Sequence, residues 1–160
     1  MDRGWRRGCR MVVAGVGALL IGALTACGGE TAKRLPAGGP CDLLATEAVA
    51  KAVGVPGASA EVEGPQCFYD LDDIFSTVTV ARGDAIDAML SDESVELADV
   101  EGARLNTGPP GGTDCGVGVV LAEEDPAQRF GVIASLTPDL TDDPCGVVDQ
   151  IATQVVGISE

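Results

Sequence analysis

Residues 115–121 read CGVGVVL and residues 130–136 read FGVIASL. In the first, Cys115, Val117, Val119 and Leu121 alternate with Gly116, Gly118 and Val120. Successive side chains of a strand point to opposite faces. A two-residue period rich in valine therefore predicts a strand with one bulky face and one mostly glycine face. Something packs closely over such a glycine face, and a helix backbone is the expected cover. The second segment answers as the next strand. Beyond it, residues 143–157 read DPCGVVDQIATQVVG, the strongest helix signal in the domain. Asp143 suits the N-cap and Pro144 the first turn. Val148, Ile151, Ala152 and Val155 form one apolar stripe, and Gly157 closes the helix.

Upstream, PCDLL at 40–44 leads into a helix on which Leu44, Ala48, Val49, Ala52 and Val53 share a face, before Gly54 and Pro56 end it. Residues 67–71 and 75–80 predict two strands joined in a hairpin at Asp72-Asp73. Asp84 is expected to cap a short helix that turns Ile86, Met89 and Leu90 inward. Residues 95–100 and 103–105 carry weaker strand signals. The order helix, strands, short helix, strands, helix defines an α+β fold: a single antiparallel β-sheet packed by N- and C-terminal helices.

The N-terminus is of another kind. Arg3, Arg6, Arg7 and Arg10 precede residues 11–26, MVVAGVGALLIGALTA, sixteen residues without a charge. As a helix this run reaches about 24 Å, short of the roughly 30 Å hydrocarbon core. A basic start, a short apolar run and small residues at its end describe an export signal. Arg6-Arg7 is followed by Gly8-Cys9-Arg10 rather than by apolar residues, so the general secretory route is expected over a twin-arginine one. Leu24-Thr25-Ala26-Cys27 resembles the lipobox of bacterial lipoproteins. That resemblance implies a diacylglycerol thioether on Cys27 and cleavage before it, and two acyl chains at about 0.8 kcal/mol per buried CH₂ anchor stably. Residues 28–40, GGETAKRLPAGGP, read as a flexible tether with a mean reach of about 20 Å. The expected organisation is a lipoprotein signal peptide over 1–26, a lipidated flexible tether over 27–40 and a single α+β domain over 41–160, held on the extracytoplasmic face of the cell membrane.

Export decides how the other cysteines read. Cys41, Cys67, Cys115 and Cys145 are an even set in an oxidising compartment, which predicts two disulfides. Their spacings contain no Cys-x₂-Cys pair, so a zinc site is disfavoured. Of three connectivities, Cys41–Cys67 with Cys115–Cys145 closes the shortest loops and is expected. Each bridge stabilises the fold by about 3–4 kcal/mol on the loop-entropy account.

Charge removes several functions. The 160 residues hold 10 Lys and Arg, 25 Asp and Glu and no histidine, a net of −15. Without an imidazole there is no Ser-His-Asp or Cys-His catalysis and no His-ligated zinc. Residues 41–160 alone carry four basic and 23 acidic groups, a net of −19. Such a surface argues against nucleic acid, which is bound through Lys and Arg. It is repelled by anionic headgroups and prefers a cationic or neutral partner.

The lipobox, the Gly/Pro tether, Pro40-Cys41-Asp42-Leu43-Leu44 with Glu47, Val49 and Gly54, Cys67-Phe68-Tyr69, and Pro144-Cys145 before the last helix together resemble an actinobacterial lipoprotein family known as a domain of unknown function. The resemblance covers about residues 40–157. Ala45-Thr46 stands where the family more often has Thr directly after Leu-Leu. What the resemblance implies is location and fold, with no catalytic residue and no cofactor.

Three constellations invite chemistry and are weighed against it. Asp70, Asp72 and Asp73, like Asp139, Asp142 and Asp143, lack the central Gly and terminal Glu of a calcium loop and read as turns and caps. Tyr69 is expected to lie half-buried beside a disulfide. TGPPGGT at 107–113 lacks the Gly-Lys-Ser/Thr ending of a phosphate loop and precedes a strand, so it reads as a mobile loop. The function expected is a non-catalytic binding domain in the cell envelope, partnered by the membrane through its anchor and by an envelope protein. The alternative is a carrier or sensor of a small apolar ligand, and an enzyme working with carboxylates alone ranks below both.

Overall fold

The computed structural model describes residues 33–72, 75–107 and 113–159. The segment expected to be an export signal (1–26), Cys27 and residues 28–32 lie outside them. Seven strands form one sheet: β1 (Ala58–Glu63), β2 (Gln66–Leu71), β3 (Thr77–Arg82), β4 (Leu90–Leu97), β5 (Val100–Leu105), β6 (Asp114–Val120) and β7 (Arg129–Ser135). Their spatial order is β1-β2-β3-β7-β6-β5-β4, and each neighbouring pair is antiparallel. Two meanders, β1 to β3 and β4 to β7, thus meet where β3 pairs with β7.

One face carries the larger core. Tyr69, Val80, Val117, Phe130 and Val132 are fully buried there, beneath α1 (Thr46–Val53) and α2 (Pro144–Gly157). α2 lies against β6 and β7, while α1 touches α2, β1 and β2. The stripe read from the sequence is the buried one: Val148, Ile151, Ala152 and Val155 are each at 0% exposure. Asp143 caps α2 by accepting a hydrogen bond from the Gly146 N–H at 2.8 Å, with Pro144 in the first turn. α1 starts at Thr46 behind Ala45, and the PCD segment before it is a separate 3-10 turn, Pro40–Asp42.

The other face is built differently. β3 ends in mid-sheet and β4 begins at the far edge, so the chain between them must cross. It crosses as a 3-10 helix, Asp84–Met89, over the row Ala81–Gly131–Gly118–Ala103, which the strand register aligns across β3, β7, β6 and β5. A Cβ on Gly131 would sit 2.6 Å from Ile86 Cγ2, and one on Gly118 would sit 2.6 Å from Leu90 Cδ2. The glycine face is therefore filled by side chains of the crossing turn and by Leu105, and not by a helix backbone.

Four further expectations need correction. Asp84 does not cap the crossing turn: Gly83 holds the N-cap position, without a side-chain bond, and Leu90 already belongs to β4. Residues 95–100 are not one strand, because β4 turns into β5 at Ala98 and Asp99, with Ala98 at φ 55°. Phe75 lies outside β3 and is 73% exposed. The expected tether and the start of the domain at Cys41 also shift. Residues 33–40 pack as part of the fold, since Leu35 is 5% exposed and Pro40 is buried.

Candidate functional site

The structure pairs Cys41 with Cys67 and Cys115 with Cys145, at Cα separations of 5.0 and 5.2 Å. The first bridge ties the segment before α1 to β2, and the second ties β6 to the first turn of α2. Tyr69, beside Cys67 and Phe68 on β2, is not half-buried but at 0% exposure. Its hydroxyl donates to the Leu44 carbonyl at 2.8 Å. Burial, with the Asp42 charge adding to it, pushes its pKa up to about 12. Its role is to hold the entry to α1 against the sheet.

A second fastening joins α2 to β5. Arg104 donates to Asp149 through two nitrogens, at 2.6 and 2.8 Å, with Cys115 Sγ 3.7 Å from the same guanidinium. The hydrogen bonds it donates to the Asp149 carboxylate hold the Arg104 pKa above the usual arginine range. Arg129 pairs with Asp87 of the crossing turn and also donates to the Glu123 carbonyl.

A third runs along the end of the sheet that carries the β1–β2, β4–β5 and β6–β7 turns. Lys33 Nζ donates to Asp99 at 2.7 Å, and that hydrogen bond holds the Asp99 carboxyl below the usual carboxylate range. The Leu35 N–H donates to Oε1 of buried Gln128 at 2.6 Å, and Arg82 reaches the Gly38 carbonyl at 2.9 Å. Residues 33–40 are thus a strap across three strand ends, and they fix where the chain enters the domain.

What remains available is surface. Three concavities among the described residues are open grooves: about 520 Å³ between α1 and the start of β1, about 430 Å³ beside the β4–β5 turn, and about 220 Å³ near Leu90 and Gly118. No three metal-binding side chains converge among those residues. Asp143 is used as a cap, Asp70 and Asp72 are exposed at the end of β2, and Asp73 and residues 108–112 lie outside the described residues. The sheet itself offers two edges, β1 and β4, and the part of its second face that the crossing turn leaves uncovered. There Phe68 and Thr79 are half-buried neighbours in the register, whereas Ile133 packs against the crossing turn and Gly116 is buried beneath Leu105 and Thr107.

Sequence reasoning missed β1, the strap and the Arg104–Asp149 pair. β1 has a weak alternating signal, only Val62 being large among ASAEVE. The strap announced itself by a lone leucine, Leu35, in an otherwise Gly/Pro stretch. The ion pair spans 45 residues and leaves no local trace. Compared with known proteins, the chain matches no family model, no curated protein and no solved structure.

Proposed function

We propose that the chain is a lipid-anchored extracytoplasmic protein whose α+β domain, packed by α1 and α2, binds a partner in the cell envelope without catalysis. The observation that carries this is the division of its cysteines. Four are consumed in two disulfides suited to an oxidising compartment, while Cys27 stands after an apolar run in a lipobox-like setting. No described helix is long and apolar enough to cross a membrane. Membership of the actinobacterial lipoprotein family is part of the same proposal, as is a diacylglycerol anchor.

The strap gives the proposal a posture. Cys27 precedes Lys33 by six residues, at most about 20 Å of extended chain. The turn-bearing end of the sheet then lies near the bilayer, and the β2–β3 and β5–β6 loops point away. A binding surface is favoured over an interior ligand because the space between sheet and helices is filled by Tyr69, Phe130 and Ile151, all fully buried. Replacing Cys27 with alanine tests the anchor. The expected result is loss of acyl label and release from the membrane fraction; unchanged attachment and label would overturn it.

A further inference from the structure

We propose that the outer edge of β1 is a strand-addition site for an extended partner segment alternating basic and apolar residues; this rests on the binding-domain reading above and supplies the partner's chemistry. β1 comes first in the sheet and pairs on one side with β2, in unbroken register over six residue pairs. Its other side offers a row of backbone donors and acceptors with no neighbouring strand among the described residues. Five of its six residues are exposed. Sheet edges are normally blunted by a bulge, a proline, a lysine or a covering element. β4, at the opposite edge, has the bulge: its register with β5 breaks between Leu90 and Ser94. Along β1 the register is unbroken, no strand among the described residues covers its outer side, and its sequence ASAEVE contains no proline and no lysine, its charges being Glu61 and Glu63.

The two sides of β1 specify what would add to it. Ala58, Ala60 and Val62 pair with Leu71, Tyr69 and Cys67 and share the helix-covered face, and Val62 is 59% exposed. Ser59, Glu61 and Glu63 share the other face with Phe68. A strand laid against this edge sets its side chains about 5 Å from these, alternating in the same way. Basic residues would then meet Glu61 and Glu63, and apolar ones would meet Ala60 and Val62. On the same side a groove lined by Ala50, Val55 and Ala58, with Glu47 and Lys51 also on its wall, widens the space beside α1. A second copy of the chain is a poor occupant, because two-fold antiparallel pairing gathers Glu61 and Glu63 of both copies on one face. Nor does the domain hold a suitable basic strand of its own, with four Lys and Arg in residues 41–160.

The test uses the full mature chain, with its anchor, in phosphatidylcholine nanodiscs. The probe is a fluorescein-labelled peptide of four Lys-Val repeats, followed by anisotropy at low salt. Binding should be at least tenfold tighter than for four Glu-Val repeats. It should fall at least tenfold when alternate backbone amides of the probe are N-methylated, and E61K/E63K should reverse the charge preference. D92K/E96K on the β4 edge should leave binding unchanged. Equal binding of the N-methylated probe would overturn strand addition, and so would an effect of the β4 variant matching that of the β1 variant. Retention of the chain in the lipid disc is scored separately, so a failed anchor and a failed edge give distinct readings.

Discussion

On β7, Phe130, Val132 and Ala134 face the two helices, while Gly131 and Ile133 face the crossing turn. Along β6 the same division sets Cys115, Val117 and Val119 against Gly116 and Gly118. A helix is about 10 Å across with its side chains and stands off from a sheet, so large aliphatics must fill the gap beneath it. A 3-10 turn that merely passes over the sheet brings its own side chains down, and the strands below must give way. One face is therefore sensitive to loss of volume and the other to its gain. Neighbouring residues on a single strand should respond in opposite directions.

The largest effect belongs to the helix-covered face. Phe130, at 0% exposure and beside Val119 in the register, should cost about 4 kcal/mol when replaced by alanine. Urea denaturation read by far-UV circular dichroism checks this. A loss under 1 kcal/mol would mean that the helices collapse onto the vacated space, and the contrast between the faces would break.

Next comes an alkaline limb confined to the same face. Tyr69 is the chain's one tyrosine, so absorbance of tyrosinate reports it alone. Its native pKa of about 12 lies above the ordinary 10 of the unfolded chain. The folded state thus holds its proton more tightly, and the resulting stability is fully present below pH 10. It is lost as pH rises from 10 through 12, on the order of 2 kcal/mol in all. Y69F should lack this limb. A native titration midpoint near 10 would show the hydroxyl to be in water and α1 to be loosely seated.

How far the chain could be read in advance follows the same division. The helix-covered face was legible in residues 115–121 and in the stripe of α2, because burial against a helix demands a clean period of large residues. Gly116 and Gly118 signalled a close neighbour but not its kind, since glycine records missing space and not what fills it. β1 was missed for a related reason: an edge strand with five exposed residues needs no apolar period and takes its form from pairing with β2. The two disulfides could be read from the even set of four cysteines and the short loops they close. The free edge of β1 could not, because an edge is a property of strand order, and strand order here depends on a crossing made by residues 84–89.

That crossing supplies the smallest prediction and the sharpest one. Gly131→Ala adds a single methyl group 2.6 Å from Ile86 Cγ2, a contact the short side chain of a β-branched residue cannot swing away from. The expected loss is about 2 kcal/mol, by overpacking. The matching variant is Ile86→Ala, which removes the opposing methyl and leaves a cavity on its own account. Combined, the two should be less destabilising than the sum of the singles by about 1–2 kcal/mol, because each relieves what the other causes. Gly118→Ala should be milder, since the atom it meets, Leu90 Cδ2, is the far end of a flexible side chain. Additive losses for Gly131→Ala and Ile86→Ala would place the turn away from β7, and the glycine row would then need another occupant.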